Sequence, residues 1–502
     1  MTPPANLETR APVTHGAELK RGALTNTIAL LASNFRGVFT FLVARLLGPA
    51  TLGTFLVAWA ATDIFSKVGI FGLDNTIVTF IARAEAAGDR ARSRALFRLA
   101  ALMAVAQCTA LAAISITLLY FVGARLGLDP RMVAALSIML CALPGLALYR
   151  MSTAASRGMK VMRHDIYSRG ITESTATTVA FLLAFTFGLT TYAPQIAAVV
   201  GLAASGLVAL LLAASLFRSA PARLDSFSRI LEARRLLAYG APICGYELLN
   251  ATIVRLDVIL LACFIGRAPG VTLASVGIYG TVVEVAWGCR KVSQAFNPIL
   301  GPIVAGITAH GKQEHAAQAF GLVAQWMLWV LLPLVAVMTL AGSVILGIYG
   351  PAFRAGSIWL GIVALACATD AFFGLSETVI MVQRPRLNLL NSSIALAFSV
   401  AANLFLIQRY GMTGAAFGIL LPYVLLGALR YRALLHVFRW RNPWAQISHP
   451  FRAALLALLP ALVARLMFHE IIGEVLGALT FLLVYFAAWQ YPRSSHLRSA
   501  IS

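Results

Sequence analysis

The stretch "FLVARLLGPATLGTFLVAW" (residues 41–59) decides the fold. Two apolar runs meet at a Gly-Pro turn, and Arg45 is the sole charge between them. Glycine next to proline punctuates a chain, so the stretch reads as one membrane helix ending and another beginning. The same pattern recurs from end to end. Of the 502 residues 60% are hydrophobic and 12% charged, with mean hydropathy +0.82, far outside the soluble globular range. Apolar runs long enough to cross a bilayer are expected at 24–47, 52–80, 96–122, 132–152, 170–190, 194–217, 237–265, 272–304, 319–349, 357–382, 388–407, 413–436, 451–469 and 473–491. The fold class is therefore all-α, a polytopic membrane protein of about 14 transmembrane helices.

Charge placement tests that count. A net charge of +21 in a soluble chain would suggest nucleic acid; here the basic residues sit in short loops between spans. With a cytoplasmic N-terminus, the inside segments collect groups such as Arg83, Arg90, Arg92, Arg94 and Arg98, then Arg150, Arg157, Lys160, Arg163 and Arg169, and later Arg430, Arg432, Arg439, Arg441 and Arg452. The outside segments hold Arg45, Arg125, Arg131, Arg267, Arg354 and Arg409. The asymmetry places both termini inside and makes the number of spans even. No nucleic-acid partner is expected.

A repeat organises the spans. Residues 41–59 align with "ILLACFIGRAPGVTLASVGIYG" (259–280), Gly48 opposite Gly266. "FIARAEAAGDRARSRALF" (80–97) resembles "IVAGITAHGKQEHAAQAF" (303–320), and "GLTTYAPQIAAVVG" (188–201) faces "RYGMTGAAFGILL" (409–421). The offset stays near 220 residues. Six spans per repeat is an even number, so the repeats are parallel, related by an axis along the membrane normal. The expected organisation is a cytosolic tail (1–22), an N-lobe of six helices (23–217), a cytosolic linker (218–236), a C-lobe of six helices (237–437), two further helices (438–491) and a C-terminal tail (492–502). The polar N-terminal stretch contains no signal-peptide core, and the first span serves as the insertion signal.

Charges inside the spans carry the functional reading. A charge at mid-bilayer costs roughly 2.5–3.5 kcal/mol on insertion scales and marks a functional suspect. Arg36, Lys67, Arg255, Arg290 and Lys291 are the basic ones; Asp63, Glu247, Asp257, Glu284 and Asp370 are the acidic ones, with Asp74, Glu173 and Glu377 nearer span ends. Asp63 and Lys67 stand at i and i+4, a spacing that allows a pair on one face. Glu284 and Lys291, seven apart, share a face less directly. Arg255 and Asp257, at i and i+2, point about 200° apart around a helix, so each must reach another helix or a cavity. Arg255 is also the repeat counterpart of Arg36. The two are expected to face one another across a central cavity, where a guanidinium fork suits phosphate or carboxylate oxygens. Asp257, Asp370, Asp63 and Glu284 are the candidates for a coupling ion. Pro144, Pro242, Pro298, Pro302, Pro333 and Pro422 lie in or at the ends of spans, where they serve as hinges or as the ordinary prolines of membrane helices.

Catalytic and metal motifs fail on inspection. The six cysteines form no CxxC pair and read as small buried hydrophobes. "GITAHGKQ" (306–313) has Gln313 where a phosphate-binding loop needs Ser or Thr. His164, His310, His315, His436 and His449 lack ligand spacing. No catalytic residue, metal or cofactor is expected.

"VARLLGPATLGTFLVAWAATDIFSKVGIFGLDNTIVTFIAR" (43–83) resembles the opening of the polysaccharide and oligosaccharide-lipid flippases of the multidrug/oligosaccharidyl-lipid/polysaccharide superfamily, whose first helix ends in an R-L-L-G-P turn. "RLDVILLACFIG" (255–266) with "VGIYGTVVE" (276–284) is similar to the start of their second half, including Asp257. "NSSIALAFSVAANLFLIQRYGMTGAAFG" (391–418) is similar to their eleventh and twelfth helices, with Asn403 before the turn. The resemblance implies translocation of polyprenyl-diphosphate-linked oligosaccharide from the inner to the outer leaflet of a bacterial inner membrane. Its implied partners are that lipid-linked substrate, membrane lipids, and polymerase and glycosyltransferase proteins of the same pathway. It implies a cavity lined by Arg36 and Arg255, with Lys67, Arg290 and Lys291 behind them. A drug or cation antiporter of the same superfamily, a peptidoglycan-precursor flippase, and an integral-membrane glycosyltransferase or polymerase are the competing readings. The short outside loops, nearly free of Asp, Glu and His, weigh against the enzyme.

Overall fold

The computed structural model describes residues 15–123, 125, 129–218, 229–294, 296, 313–383, 385–436, 444–468 and 470–499; within these, the side chains of 15–36, 313–316, 318, 319, 378, 381–383, 385, 444–446, 470 and 491–499 are not described. Among the described residues there is no strand. An apolar chain in lipid must satisfy its backbone internally, and the helix does so within each segment. Hydroxyls inside the spans follow the same rule by donating back to their own helix: Thr62 to the Ala58 carbonyl at 2.9 Å, Thr281 to Gly277 at 3.0 Å.

The long helices are α1 (His15–Ile70), α2 (Leu73–Ala86), α3 (Arg90–Gly123), α4 (Pro130–Leu140), α5 (Leu143–Gly158), α6 (Ser174–Thr186), α7 (Ala193–Leu216), α8 (Arg229–Cys263), α9 (Leu273–Ala286), α10 (Gln313–Leu340), α11 (Ser357–Gln383), α12 (Pro385–His436), α13 (Trp444–Met467) and α14 (Glu470–Ser499). Nine stretches among the described residues are long and apolar enough to cross a membrane. Helix α8 is not one of them, because Glu247, Arg255 and Asp257 interrupt its apolar run.

The repeat is visible in the backbone. Gly48 bends α1 at φ 79°, and its counterpart Gly266 has φ 72°. Gly188 at φ 77° matches Gly411 at φ 56°, which bends α12. Only glycine enters this left-handed region without strain, so both pairs of equivalent turns are built the same way. In the remaining match Gly88 has φ 73°, while Gly311 lies outside the described residues, as do Pro298, Pro302 and most of 306–313. Pro242, Pro333 and Pro422 lie inside helices, and Pro144 opens α5.

The chain packs as two compact units. The first comprises Met1–Thr40, Leu73–Ala110 and Cys141–Leu237; the second comprises Phe41–Gly72, Leu111–Leu140 and Ala238–Ser502. In the first, small residues bring helices together: a Cβ on Gly145 of α5 would stand 3.1 Å from the Ala203 backbone of α7, and one on Gly158 would stand 3.0 Å from Ile81 of α2. The eight residues Ile166–Glu173 preceding α6 are π-helical.

In the second unit, residues 49–70 of α1 cross α9 at their repeat-equivalent glycines. A Cβ on Gly53 would collide with the Leu273 carbonyl and come within 2.9 Å of Gly277 N. A Cβ on Gly277 would collide with the Pro49 carbonyl and come within 2.8 Å of Gly53 N. Pro49 and Leu273, like Gly53 and Gly277, are 224 apart, so the contact is isologous: each helix meets the same patch of the other. Gly280 faces Leu56, again 224 apart, which makes the two helices parallel. Small residues allow such close crossings in membranes.

The two C-terminal helices dock on α10 within this unit. Trp329 of α10 meets Tyr485 of α14 at a ring separation of 4.9 Å and His449 of α13 at 5.4 Å. The Glu474 carboxylate accepts from the backbone N–H groups of Ser343 and Val344 at 3.1 Å.

Replacing Gly277 with valine is expected to destabilise the protein by at least about 1–3 kcal/mol, the usual cost of overpacking, and more where backbone must move. Gly245→Ala, whose Cβ meets nothing within 4 Å, is the control. Detergent-state unfolding measures both, and equal midpoints would contradict the crossing.

Candidate functional site

The intramembrane charges of the second unit fall into a pattern of opposed pairs. Residues 49–70 run antiparallel to α8: Gly72 abuts Gly240, the Cys244 thiol meets the Lys67 carbonyl at 3.5 Å, and Asp63 lies opposite Arg255. Two ion pairs bridge this seam, Lys67 Nζ to Glu247 Oε2 at 2.8 Å and Arg255 Nε to Asp63 Oδ2 at 3.2 Å. The i,i+4 spacing of Asp63 and Lys67 suggests a pair within one helix; the structure gives each a partner on α8. Pairing across helices neutralises the charges and ties the two segments together, whereas a same-helix pair would only neutralise them.

Arg255 and Asp257 part company as their spacing requires. Arg255 turns to Asp63, and its guanidinium lies 4.5 Å above the Trp287 ring. Among the described residues neither Nη of Arg255 donates a hydrogen bond; its Nε alone is engaged. Asp257 is 1% exposed and accepts from the Tyr279 hydroxyl at 3.0 Å and from Val258 N–H at 2.8 Å.

Arg290 is bound more completely. Its Nε and Nη2 donate to Asp370 Oδ2 at 2.8 and 2.6 Å, and Nη2 also reaches the Tyr423 hydroxyl at 2.7 Å. Lys291 interacts electrostatically with Glu284. Arg36 lies on α1, but its side chain falls outside the described residues, so its relation to Arg255 rests on the repeat alone.

A further cluster went unread in the sequence. Arg430, assigned there to an inside loop by charge, lies within α12, 2% exposed, and donates to Glu377 at 2.6 Å. The Tyr246 hydroxyl donates to the same carboxylate, and Asn388 donates to Tyr246 at 3.4 Å. Asp370 and Glu377 are seven apart on α11, as are Tyr423 and Arg430 on α12. Seven residues make two turns on one face, so the Arg290 and Arg430 clusters repeat one motif about 10.5 Å apart. That double i,i+7 spacing was the available signal.

The first unit holds a separate polar group. Arg150 pairs with Asp74 at 3.6 Å, the Tyr149 hydroxyl donates to Asp165, and Arg169 interacts with Tyr149, Glu173 and Asp165 around the π-helical segment. Beyond the span, His164 is buried with Nδ1 2.9 Å from the Ser156 hydroxyl; burial, aided by Arg163, holds its imidazole below the usual range.

Lys67→Met alone removes the ion-pair partner of Glu247 and is expected to destabilise the protein by up to about 3–5 kcal/mol, the upper range for breaking a buried pair. The double variant Lys67→Met/Glu247→Met should recover most of that loss. A double-mutant cycle on unfolding free energies checks this, and additive losses would contradict the pairing.

Comparisons bear on what such a site serves. The model of the family described as "Polysaccharide biosynthesis protein" matches residues 19–289, more than half of the chain. Comparison with curated protein sequences finds no match. The fold is similar to that of a lipid II flippase MurJ in an inward closed conformation: TM-score 0.73, 12% identity, covering 95% of this chain and 100% of that one. It is also similar to an inward-facing multidrug resistance MATE family transporter of the MOP superfamily, with TM-score 0.62, 13% identity and coverage of 84% and 96%. A eukaryotic MATE transporter, AtDTX14, aligns with TM-score 0.56 at 16% identity over 85% and 96% of the two chains. At these identities the likeness establishes a shared fold. With the family match over more than half its length, the chain belongs to the polysaccharide biosynthesis protein family.

Proposed function

We propose that this protein flips polyprenyl-diphosphate-linked oligosaccharide repeat units from the cytoplasmic to the periplasmic leaflet of a bacterial inner membrane, supplying O-antigen, capsule or exopolysaccharide synthesis. It does so without chemical catalysis, by alternating access between two lobes, with both termini cytoplasmic and fourteen spans. The observation that carries this reading is Arg255: a mid-span guanidinium 12% exposed, held through Nε by Asp63, with both Nη groups uncommitted among the described residues. That leaves a two-pronged donor for diphosphate oxygens, the geometry in which arginine excels. The equivalent Arg36 would offer a second fork from the other repeat. Lys67 and Lys291 supply further positive charge. Arg290, bound by Asp370 and Tyr423, acts as a positioning residue. The carboxylates keep the cations neutralised when the site is empty, and the diphosphate competes for them when it enters.

The uncommitted arginine also separates this reading from a cation antiporter, whose cargo a guanidinium would repel. Deleting the gene in its host should make lipid-linked repeat units accumulate and surface glycan disappear. Wild type should restore both. Arg255→Ala and Arg36→Ala should lower glycan output about tenfold or more, since hydrogen bonds to charged groups are worth roughly 1.5–3 kcal/mol each. Normal lipids and glycan in the deletion strain, with altered resistance to cationic drugs, would move the protein to the antiporters.

A further inference from the structure

One buried donor beside Arg255 has no acceptor. The indole Nε1–H of Trp287 is shielded from solvent and donates to nothing among the described residues. A buried N–H left without a partner is costly. The backbone breaks at the same residue. Helix α9 ends at Ala286, Trp287 caps it, and helical structure resumes at Gly288. The Trp287 carbonyl accepts from the Arg290 N–H at 3.0 Å and from the Lys291 N–H at 3.3 Å. A Cβ on Gly288 would meet only the Met338 methyl, at 3.5 Å. Irregular backbone at membrane depth is tolerated where it is buried in protein or lines a polar path.

Arg255 is fixed by two neighbours. Asp63 holds Nε at 3.2 Å, and the guanidinium carbon lies over the Trp287 ring, 4.5 Å from its centre. Two Nη groups remain, with the indole N–H nearby, and none of the three has an acceptor among the described residues. The neighbouring carboxylates are engaged. Asp257, within electrostatic reach of Arg255, accepts from Tyr279 and from the Val258 N–H, and Glu284 acts on Lys291. Donors without acceptors beside a largely buried cation suit an anion rich in oxygens. A guanidinium fork takes two oxygens of one phosphoryl group. The indole N–H lies at the level of its own ring, apart from the fork, and calls for an oxygen beyond that phosphoryl.

We propose that Trp287 contacts the substrate and selects diphosphate over monophosphate: the Arg255 Nη groups take one phosphoryl, and the Trp287 indole N–H donates to an oxygen of the next. The assignment rests on the flippase reading, in which Arg255 meets the diphosphate, and adds a second recognition group to it. A prenyl monophosphate fills the fork and leaves the indole unpaired. A site built to bond a group discriminates against an analogue that lacks it, so the monophosphate is the poorer cargo. The repeat does not supply this residue twice: the position equivalent to Trp287 is Asp63, which holds Arg255 by its Nε. One repeat fixes the fork, and the other reads what the fork holds.

Calorimetric binding of farnesyl diphosphate and farnesyl monophosphate to the detergent-purified full-length chain tests this. Wild type should prefer the diphosphate. Trp287→Phe keeps an aromatic ring beneath Arg255 and removes the N–H. It should bind the diphosphate about tenfold more weakly, the weight of one hydrogen bond to a charged acceptor, and the monophosphate as wild type does. Arg255→Ala should weaken both ligands. If Arg255→Ala binds both as wild type does, the flippase reading of Arg255 fails and the proposal with it. If Arg255→Ala weakens both while Trp287→Phe keeps the wild-type preference, or weakens both ligands equally, the proposal alone is overturned. A measurement on isotope-labelled wild type keeps the test decisive should Trp287→Phe not fold. Of its eight tryptophan indole N–H resonances, one should move with the diphosphate and stay in place with the monophosphate. Eight unmoved resonances, or equal movement with both ligands, would overturn the proposal.

Discussion

A charge placed in an apolar helix has to be neutralised by something on another helix, and in this protein that requirement joins the elements of the second unit. Lys67 with Glu247 and Asp63 with Arg255 fasten residues 49–70 to α8; Arg290 with Asp370 and Arg430 with Glu377 fasten α11 to its neighbours. Buried pairs of this kind contribute little net stability, because desolvation offsets their attraction. They specify which helix faces break apart at high cost and which register a helix must keep. The proposed translocation path needs that property, since its polar groups must be held ready without collapsing together.

Glycine sets the geometry in which the charges meet. The reciprocal Gly53–Gly277 contact brings two repeat-equivalent helices to backbone contact near their N-terminal ends. Asp63 and Lys67 lie ten and fourteen residues farther along, and Trp287 and Lys291 occupy the equivalent places on the partner repeat, each 224 residues away. Arg255 lies between Asp63 and Trp287, two positions that the repeat makes equivalent. A single guanidinium therefore touches both halves of the internal symmetry.

Much of this was legible in the sequence. The apolar runs, the glycine-marked turns at Gly48, Gly188, Gly266 and Gly411, and the parallel repeat follow from hydropathy and steric rules that act locally. That Arg255 and Asp257 cannot pair with one another follows from helical angles. The identity of each partner did not follow. Glu247 lies 180 residues from Lys67, and Arg255 lies 192 from Asp63, so only the packed fold brings them together. Local spacing pointed Asp63 and Lys67 at one another because an i,i+4 pair is the nearest solution visible in one dimension. Arg430 was read as a loop cation because topology counting treats every arginine near a span end alike, whereas Glu377 draws this one inward.

The most direct test of the account is reconstitution. Purified protein in liposomes, supplied with a short polyprenyl-diphosphate oligosaccharide in one leaflet, should move the glycan to the other leaflet, as read by a membrane-impermeant glycosidase or lectin. Arg255→Ala should abolish most of that movement, while Arg255→Lys, which keeps the charge and loses the fork, should retain a fraction of it. Equal translocation by wild type and Arg255→Ala, with both proteins folded and inserted, would contradict the claim that this arginine carries the diphosphate across.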